Sequence, residues 1–184
     1  MRWLQFCLLL VLLPLAACSL NGKTTTYSLE PRSVYTLGGG DTIRVKVYGD
    51  ETVTGSYKVD DAGTVSMPLI GQVQVSGRTT AQTAAVIAAQ LANGFVRNPD
   101  VAVEVETYRP FFIQGAVKGG GQFPYVSGMT IRAAVSTAGG YSDTAQRQRA
   151  TIYRKVGGNM QKSVVDLDFP IFPGDTIVIS ERWL

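Results

Sequence analysis

The sequence predicts an α+β protein made of two small units, each a sheet with one helix. Three observations carry that expectation. Short runs of alternating apolar and polar residues recur along the chain, at the two-residue period of half-buried strands. Two stretches, one leading up to Gly94 and one up to Gly139, change to the helical period. Twenty glycines and eight prolines in 184 residues punctuate the chain into many turns and short strands.

In the first unit, Leu37-Gly38-Gly39-Gly40-Asp41 is a turn. Ile43, Val45 and Val47 then alternate with Arg44, Lys46 and Tyr48 as a strand. Residues 56–59 and 64–68 read as two strands around a hairpin turn, Asp60-Asp61-Ala62-Gly63. Val73 and Val75 continue the extended character. Thr79 or Thr80 can cap a helix whose inner face is Ala84, Ile87, Ala88, Leu91 and Phe95, with Gly94 where it should end. Val101, Val103 and Val105 alternate with Ala102, Glu104 and Glu106 as the closing strand.

Arg109-Pro110 marks the boundary to the second unit. Residues 111–117 form an apolar strand closed by Gly119-Gly120-Gly121, and 123–126 form the next. Thr130 caps a short helix to Ala138, with Ile131, Ala134 and Val135 inward and Gly139-Gly140 as its stop. Strands at 151–156 and 162–167 flank Gly157-Gly158. Pro173-Gly174-Asp175 turns into a last strand, 176–180.

The composition excludes several chemistries. There is no histidine, which removes the commonest general base and metal ligand and every Ser-His or Cys-His pair. The two cysteines are Cys7 and Cys18, so a chain cleaved before Cys18 has neither an internal disulfide nor a cysteine-rich zinc site. A net charge of +3 is too small to indicate a nucleic-acid partner. Neither glycine run is followed by the Lys-Ser or Lys-Thr of a phosphate-binding loop or opens a helix as a dinucleotide site does. Asp60 and Asp61 sit in a turn, and neighbours on extended chain point apart. No carboxylate pair stands out for glycan hydrolysis. The expectation is therefore a non-enzyme with no catalytic residue, metal or cofactor.

The first residues carry an address. Arg2 precedes an apolar run, 4–15, that is too short to span a bilayer, which takes about 20 residues, and suits a signal-peptide core. It ends in Leu15-Ala16-Ala17-Cys18, which resembles the bacterial lipobox, an aliphatic residue and two small ones before the cysteine that accepts the lipid. This predicts a signal peptide over 1–17, lipidation at Cys18 and a flexible lipidated tether over 18–32. Ser19 stands where an aspartate would signal inner-membrane retention in many Gram-negative lipoproteins, so the periplasmic face of the outer membrane is expected.

Three further sets of residues draw notice. Gly40-Asp41-Thr42-Ile43 recurs as Gly174-Asp175-Thr176-Ile177, and turn chemistry accounts for both copies. Arg147, Arg149, Arg154, Lys155 and Lys162 make 147–162 basic; the expectation is a solvated face, with an anionic polymer as the functional reading. Tyr108, Phe111, Phe112, Phe123 and Tyr125 cluster at the start of the second unit, where core packing is the default and any ring facing outward is a candidate for sugar stacking or an interface. Arg147, Arg149, Arg154 and Tyr125 are the candidate polymer or interface contacts.

The order of motifs resembles a known family. Gly40-Asp41-Thr42-Ile43, Tyr57-Lys58-Val59-Asp60, Gly63-Thr64-Val65, Pro68-Leu69-Ile70-Gly71 and Asn98-Pro99-Asp100-Val101 resemble the N-terminal domain of the outer-membrane polysaccharide export family. Phe112-Ile113-Gln114-Gly115-Ala116-Val117, Gly121-Gln122-Phe123-Pro124-Tyr125, Met129-Thr130-Ile131 and Ala138-Gly139-Gly140-Tyr141 resemble its SLBB domain, a soluble-ligand-binding β-grasp. The resemblance implies an export domain over 33–107 and an SLBB-like β-grasp domain with a final strand over 108–184. It also implies a homo-oligomeric ring through which a polysaccharide passes and an inner-membrane co-polymerase as partner. The longest members add a C-terminal pore helix, for which four residues after Ser180 leave no room. A separate outer-membrane β-barrel porin is therefore expected. The alternative is a monomeric, lipid-anchored glycan-binding module that conducts nothing.

Overall fold

The alternation that marks the first strand also seats it at the centre of its sheet. The computed structural model describes residues 35–182, so the signal peptide, Cys18 and the tether lie outside the described residues. In β1 (Thr42–Tyr48), Ile43, Val45 and Val47 are buried and the residues between them exposed. β2 (Gly55–Lys58) and β5 (Asp100–Thr107) flank β1, both antiparallel to it. β3 (Thr64–Met67) and β4 (Gly71–Gln74) form a separate two-stranded ribbon. α1 (Thr80–Ala92) packs on β5. Thr79 is its N-cap: the hydroxyl accepts from the Gln82 N–H at 3.1 Å, and the Gln82 side chain accepts from the Thr79 N–H at 3.0 Å. Two otherwise orphaned helix donors are thereby satisfied.

Two expectations for this half are corrected. The strands around residues 60–63 do not pair with each other; β2 joins β1, and β3 turns back onto β4 through Pro68-Leu69-Ile70, with Leu69 at φ +68°. The Asp60 carboxylate explains the misleading turn. It accepts from the Thr64 N–H at 2.7 Å and the Thr64 hydroxyl at 2.6 Å, closing a tight loop without a ladder. Phe95 is 53% exposed rather than buried. The helix ends two residues earlier, with its C-cap at Asn93, and the inner face is carried by Thr83, Ile87 and Leu91.

The second sheet is mixed. β6 (Phe111–Gly115), β7 (Gly121–Phe123), β8 (Arg149–Val156), β9 (Asn159–Asp166) and β10 (Thr176–Ile179) lie in the order β7-β6-β10-β8-β9. β10, the last strand among the described residues, is central, parallel to β6 and antiparallel to β8. α2 (Ile131–Thr137), capped by Thr130, buries Ile131, Ala134 and Val135 against one face of this sheet. β7 comes earlier than the alternation suggests, since Gly121 already pairs with Ile113, and Val126 is left in a loop, 64% exposed. Gly157-Gly158, both at positive φ, make the two-residue turn of the β8–β9 hairpin, a geometry whose twist matches that of the strands it joins.

Gly115 shows why a glycine ends β6. Its φ is +91°, and a Cβ there would lie 2.2 Å from the carbonyl oxygen of Ile179. That carbonyl accepts from the Ala116 N–H at 2.8 Å, so β6 and β10 meet backbone to backbone. The described residues, 35–182, fall within one compact unit, which contains two hydrophobic cores. One runs from Leu37 to Val103 and the other from Phe111 to Ile179. The protein is thus α+β, two sheet-and-helix halves joined at residues 108–110.

Candidate functional site

The repeated Gly-Asp-Thr-Ile motif builds the same device twice. Asp41 precedes β1 and Asp175 precedes β10, each after a glycine at positive φ, +92° at Gly40 and +85° at Gly174. Each carboxylate accepts from the N–H three residues upstream: Gly38 at 2.9 Å for Asp41 and Phe172 at 2.6 Å for Asp175. Both aspartates are essentially buried, at 0% and 1% exposure, and each has an arginine. A buried carboxylate is tolerated when its charge is paired and its lone pairs are used.

The two arginines come from different places. Arg154, on β8, meets Asp175 through Nε at 2.9 Å and Nη2 at 2.6 Å. Its guanidinium lies 4.2 Å from the Phe172 ring centroid. Arg109, between the two halves, donates its backbone N–H to Asp41 Oδ1 at 2.8 Å and Nη1 to Oδ2 at 3.0 Å. Its Nε reaches the Pro173 carbonyl at 3.1 Å, in the turn that carries the second motif. Arg109 therefore ties the first Gly-Asp turn to the second.

Aromatic rings line this junction. The Tyr35 hydroxyl donates to Asp41 Oδ2 at 2.5 Å and accepts from Arg109 at 3.0 Å. Burial, then the bond to Asp41, pushes its pKa well above the usual tyrosine range. Tyr35 meets Tyr108 edge-on at 5.0 Å, and Tyr108 meets Tyr125 edge-on at 5.4 Å. Tyr125 is half-buried and packs against the second core, and burial raises its pKa too.

Strand parity sorts the basic run. Arg154 shares the parity of the buried Ala150 and Ile152 and points to the helix-covered side, where Asp175 holds it. Its Nε and Nη2 are engaged inside the fold, by the Asp175 carboxylate and the Pro170 carbonyl. Arg149 and Lys155 have the opposite parity and are exposed. Lys162, paired with Tyr153 across the β8–β9 ladder, shares their face, its Nζ 5.8 Å from the Tyr153 ring centroid. Arg147 stands apart, over the Tyr141 ring at 5.5 Å. It lines an open cleft of about 300 Å³ with Ala145, Gln146, Gln148 and Arg182.

The fold brings together residues that the sequence did not single out. Tyr35 and Arg109 lie 74 positions apart, and no local pattern joins them. Phe112 is 42% exposed on the same side of the sheet as Tyr153. Its alternation with the buried Phe111 and Ile113 is the signal that marks it as the outward ring of its cluster.

Comparison with known proteins gives this architecture its class. Residues 29–106 match the family described as polysaccharide biosynthesis/export protein, and residues 110–163 match the SLBB domain. The junction at Arg109 falls between the two matches. The chain belongs with the polysaccharide export proteins, carrying their export domain followed by an SLBB domain. It is 33% identical over 147 residues to the exopolysaccharide production protein ExoF of Rhizobium meliloti, covering 72% of this chain and 34% of that protein. It is 26% identical over 159 residues to a polysialic acid transport protein, KpsD, of Escherichia coli, covering 80% of this chain and 28% of that one. The chain spans about a third of the length of the curated relatives it matches. Among the described residues no helix is long and apolar enough to cross a membrane.

Proposed function

We propose that this chain is a periplasmic, outer-membrane-anchored component of a capsular or exopolysaccharide export machine, and that its copies form an oligomeric collar through which the polymer passes. The observation that carries the reading is the joining of an export domain and an SLBB domain in one chain. The names of its relatives, an exopolysaccharide production protein and a polysialic acid transport protein, support it. In this reading, residues 1–17 are a signal peptide and 18–32 a tether lipidated at Cys18. Residues 33–107 are the export domain and 108–184 the SLBB-like domain. An inner-membrane co-polymerase feeds the polymer, and a separate β-barrel porin carries it across the outer membrane. No bond in the polymer is made or broken; the collar guides it.

The test is a deletion strain lacking redundant copies. Long-chain polysaccharide outside the cell is expected to fall to background and to return with the wild-type gene. Normal secretion would end the export reading. Complementation with Cys18→Ala is expected to leave the protein unprocessed and free of acyl label; unchanged labelling would refute the anchor. Sedimentation of the lipidated protein is expected to give a closed multiple of the protomer, whereas a stable monomer would refute the collar.

A further inference from the structure

We infer that the face of the five-stranded sheet opposite α2, open among the described residues, is a contact surface for an anionic glycan chain, with Phe112 and Tyr153 as stacking platforms and Lys155 and Lys162 as counter-charges. This rests on the export reading and assigns the chemistry of the cargo. α2 and the second core cover one side of the sheet; the other carries the residues of opposite parity. The strand register aligns five of them in one row across all five strands: Gln122, Phe112, Thr176, Tyr153 and Lys162. The next row runs Gln114, Val178, Thr151 and Val164.

The chemistry of this surface fits a sugar chain. Phe112 and Tyr153 are separated by the one strand β10, so their rings stand about 10 Å apart at the usual strand spacing. Two rings at that interval can stack on two sugars of one extended chain, with the amides of Gln114 and Gln122 and the hydroxyls of Thr151 and Thr176 beside them as hydrogen-bond partners. The charge is one-sided: Arg149, Lys155 and Lys162 share the face with a single acid, Asp166, which lies opposite Arg149. Among the described residues neither Lys155 nor Lys162 has an ion-pair partner. Such an excess complements a polymer bearing carboxylates or other acidic groups. A second protein would leave its mark differently, because protein interfaces exclude charge from their core. Here the cations are interleaved with the rings.

The probe is the secreted polysaccharide purified from the producing strain, and the readout is retardation of the full-length lipidated protein in native gels cast with that polymer. Retardation is expected to weaken with added salt. Phe112→Ala and the double variant Lys155→Gln/Lys162→Gln are each expected to raise the apparent Kd about fivefold, with melting temperature unchanged. Phe112→Tyr is expected to bind as wild type. Phe95→Ala, an exposed ring on the other half, is the control and is expected to bind as wild type. Full retardation of the face variants would overturn the inference, as would no retardation of wild type in a system whose deletion strain fails to export; the export reading would survive both. Face variants that change only the sedimentation of the protein would reassign the surface to a second copy and likewise overturn the inference. Normal secretion by the deletion strain would remove the export reading and this inference with it.

Discussion

At Gly115 the cost of one added methyl group can be stated in advance. A side chain at φ +91° is strained by about 1–2 kcal/mol, and here its Cβ would also strike the Ile179 carbonyl. Gly71 has a similar φ, +70°, but nothing within 4 Å of where a Cβ would sit. Gly115→Ala is therefore expected to destabilise by about 3 kcal/mol, with overpacking added to strain, and Gly71→Ala by about 1 kcal/mol. Urea midpoints measured on both variants check the difference; equal losses would show that the β6–β10 contact is not the source. Both glycines are legible as structural from their place in apolar strands. The difference between them is not, because the atom that Gly115 avoids lies 64 residues further along the chain.

Among the elements, β10 is held by more than its ladders. Arg154 reaches from β8 to the carboxylate at the head of β10, and the same carboxylate gathers the N–H of Phe172. Arg154→Met keeps much of the side-chain bulk and leaves Asp175 buried without its counter-charge, a loss expected to cost about 3 kcal/mol. Adding Asp175→Leu is expected to return only part of that, because the Phe172 N–H then loses its acceptor. Thermal unfolding of the two variants measures this, and full recovery in the double variant would mean that the Phe172 bond contributes nothing. Parity was the available signal for Arg154: it falls in step with Ala150 and Ile152. Counting charge along the run hid it, since the helix-covered and open faces contribute to the same sum. The hairpin expected at residues 60–63 failed for a related reason. Turn residues announce that the chain reverses, but not which strand it then pairs with.

Over the whole molecule, the two cores meet through a small polar cluster. Tyr35 belongs to the first half, Asp41 heads its central strand, and Arg109 continues to the Pro173 carbonyl in the second. Because Tyr35 has its pKa raised in the fold, folding favours the protonated hydroxyl. Its stabilising contribution is complete below about pH 10, the ordinary tyrosine value, and is lost as pH rises above it, where the unfolded chain ionises first. Tyr35→Phe is expected to lower stability by about 1–2 kcal/mol at neutral pH and to make the alkaline loss of stability less steep. Some slope should remain, since burial also raises the pKa values of Tyr57, Tyr125 and Tyr141. Chemical unfolding at pH 7 and above pH 10 tests it, and an unchanged alkaline slope would place the titrating group elsewhere. The class of fold and both helices were readable from local period. The joint between the halves was not, because the Arg109 bonds that make it, to Tyr35, Asp41 and Pro173, each span more than sixty residues and no local window contains both ends.

The central place of β10 also bears on how the protein comes to exist in time. During synthesis β6 and β7 appear first, then the β8–β9 hairpin, with an empty lane between them until residues 176–179 arrive. Neither pair has its neighbour, and β6 waits some sixty residues for the strand that shields its edge. A chain cut off before residue 176 would lose the closure of the whole second core rather than one strand of it. The half-made sheet is accordingly the state most open to wrong partners, and residues 176–179 decide whether the rest keeps its shape.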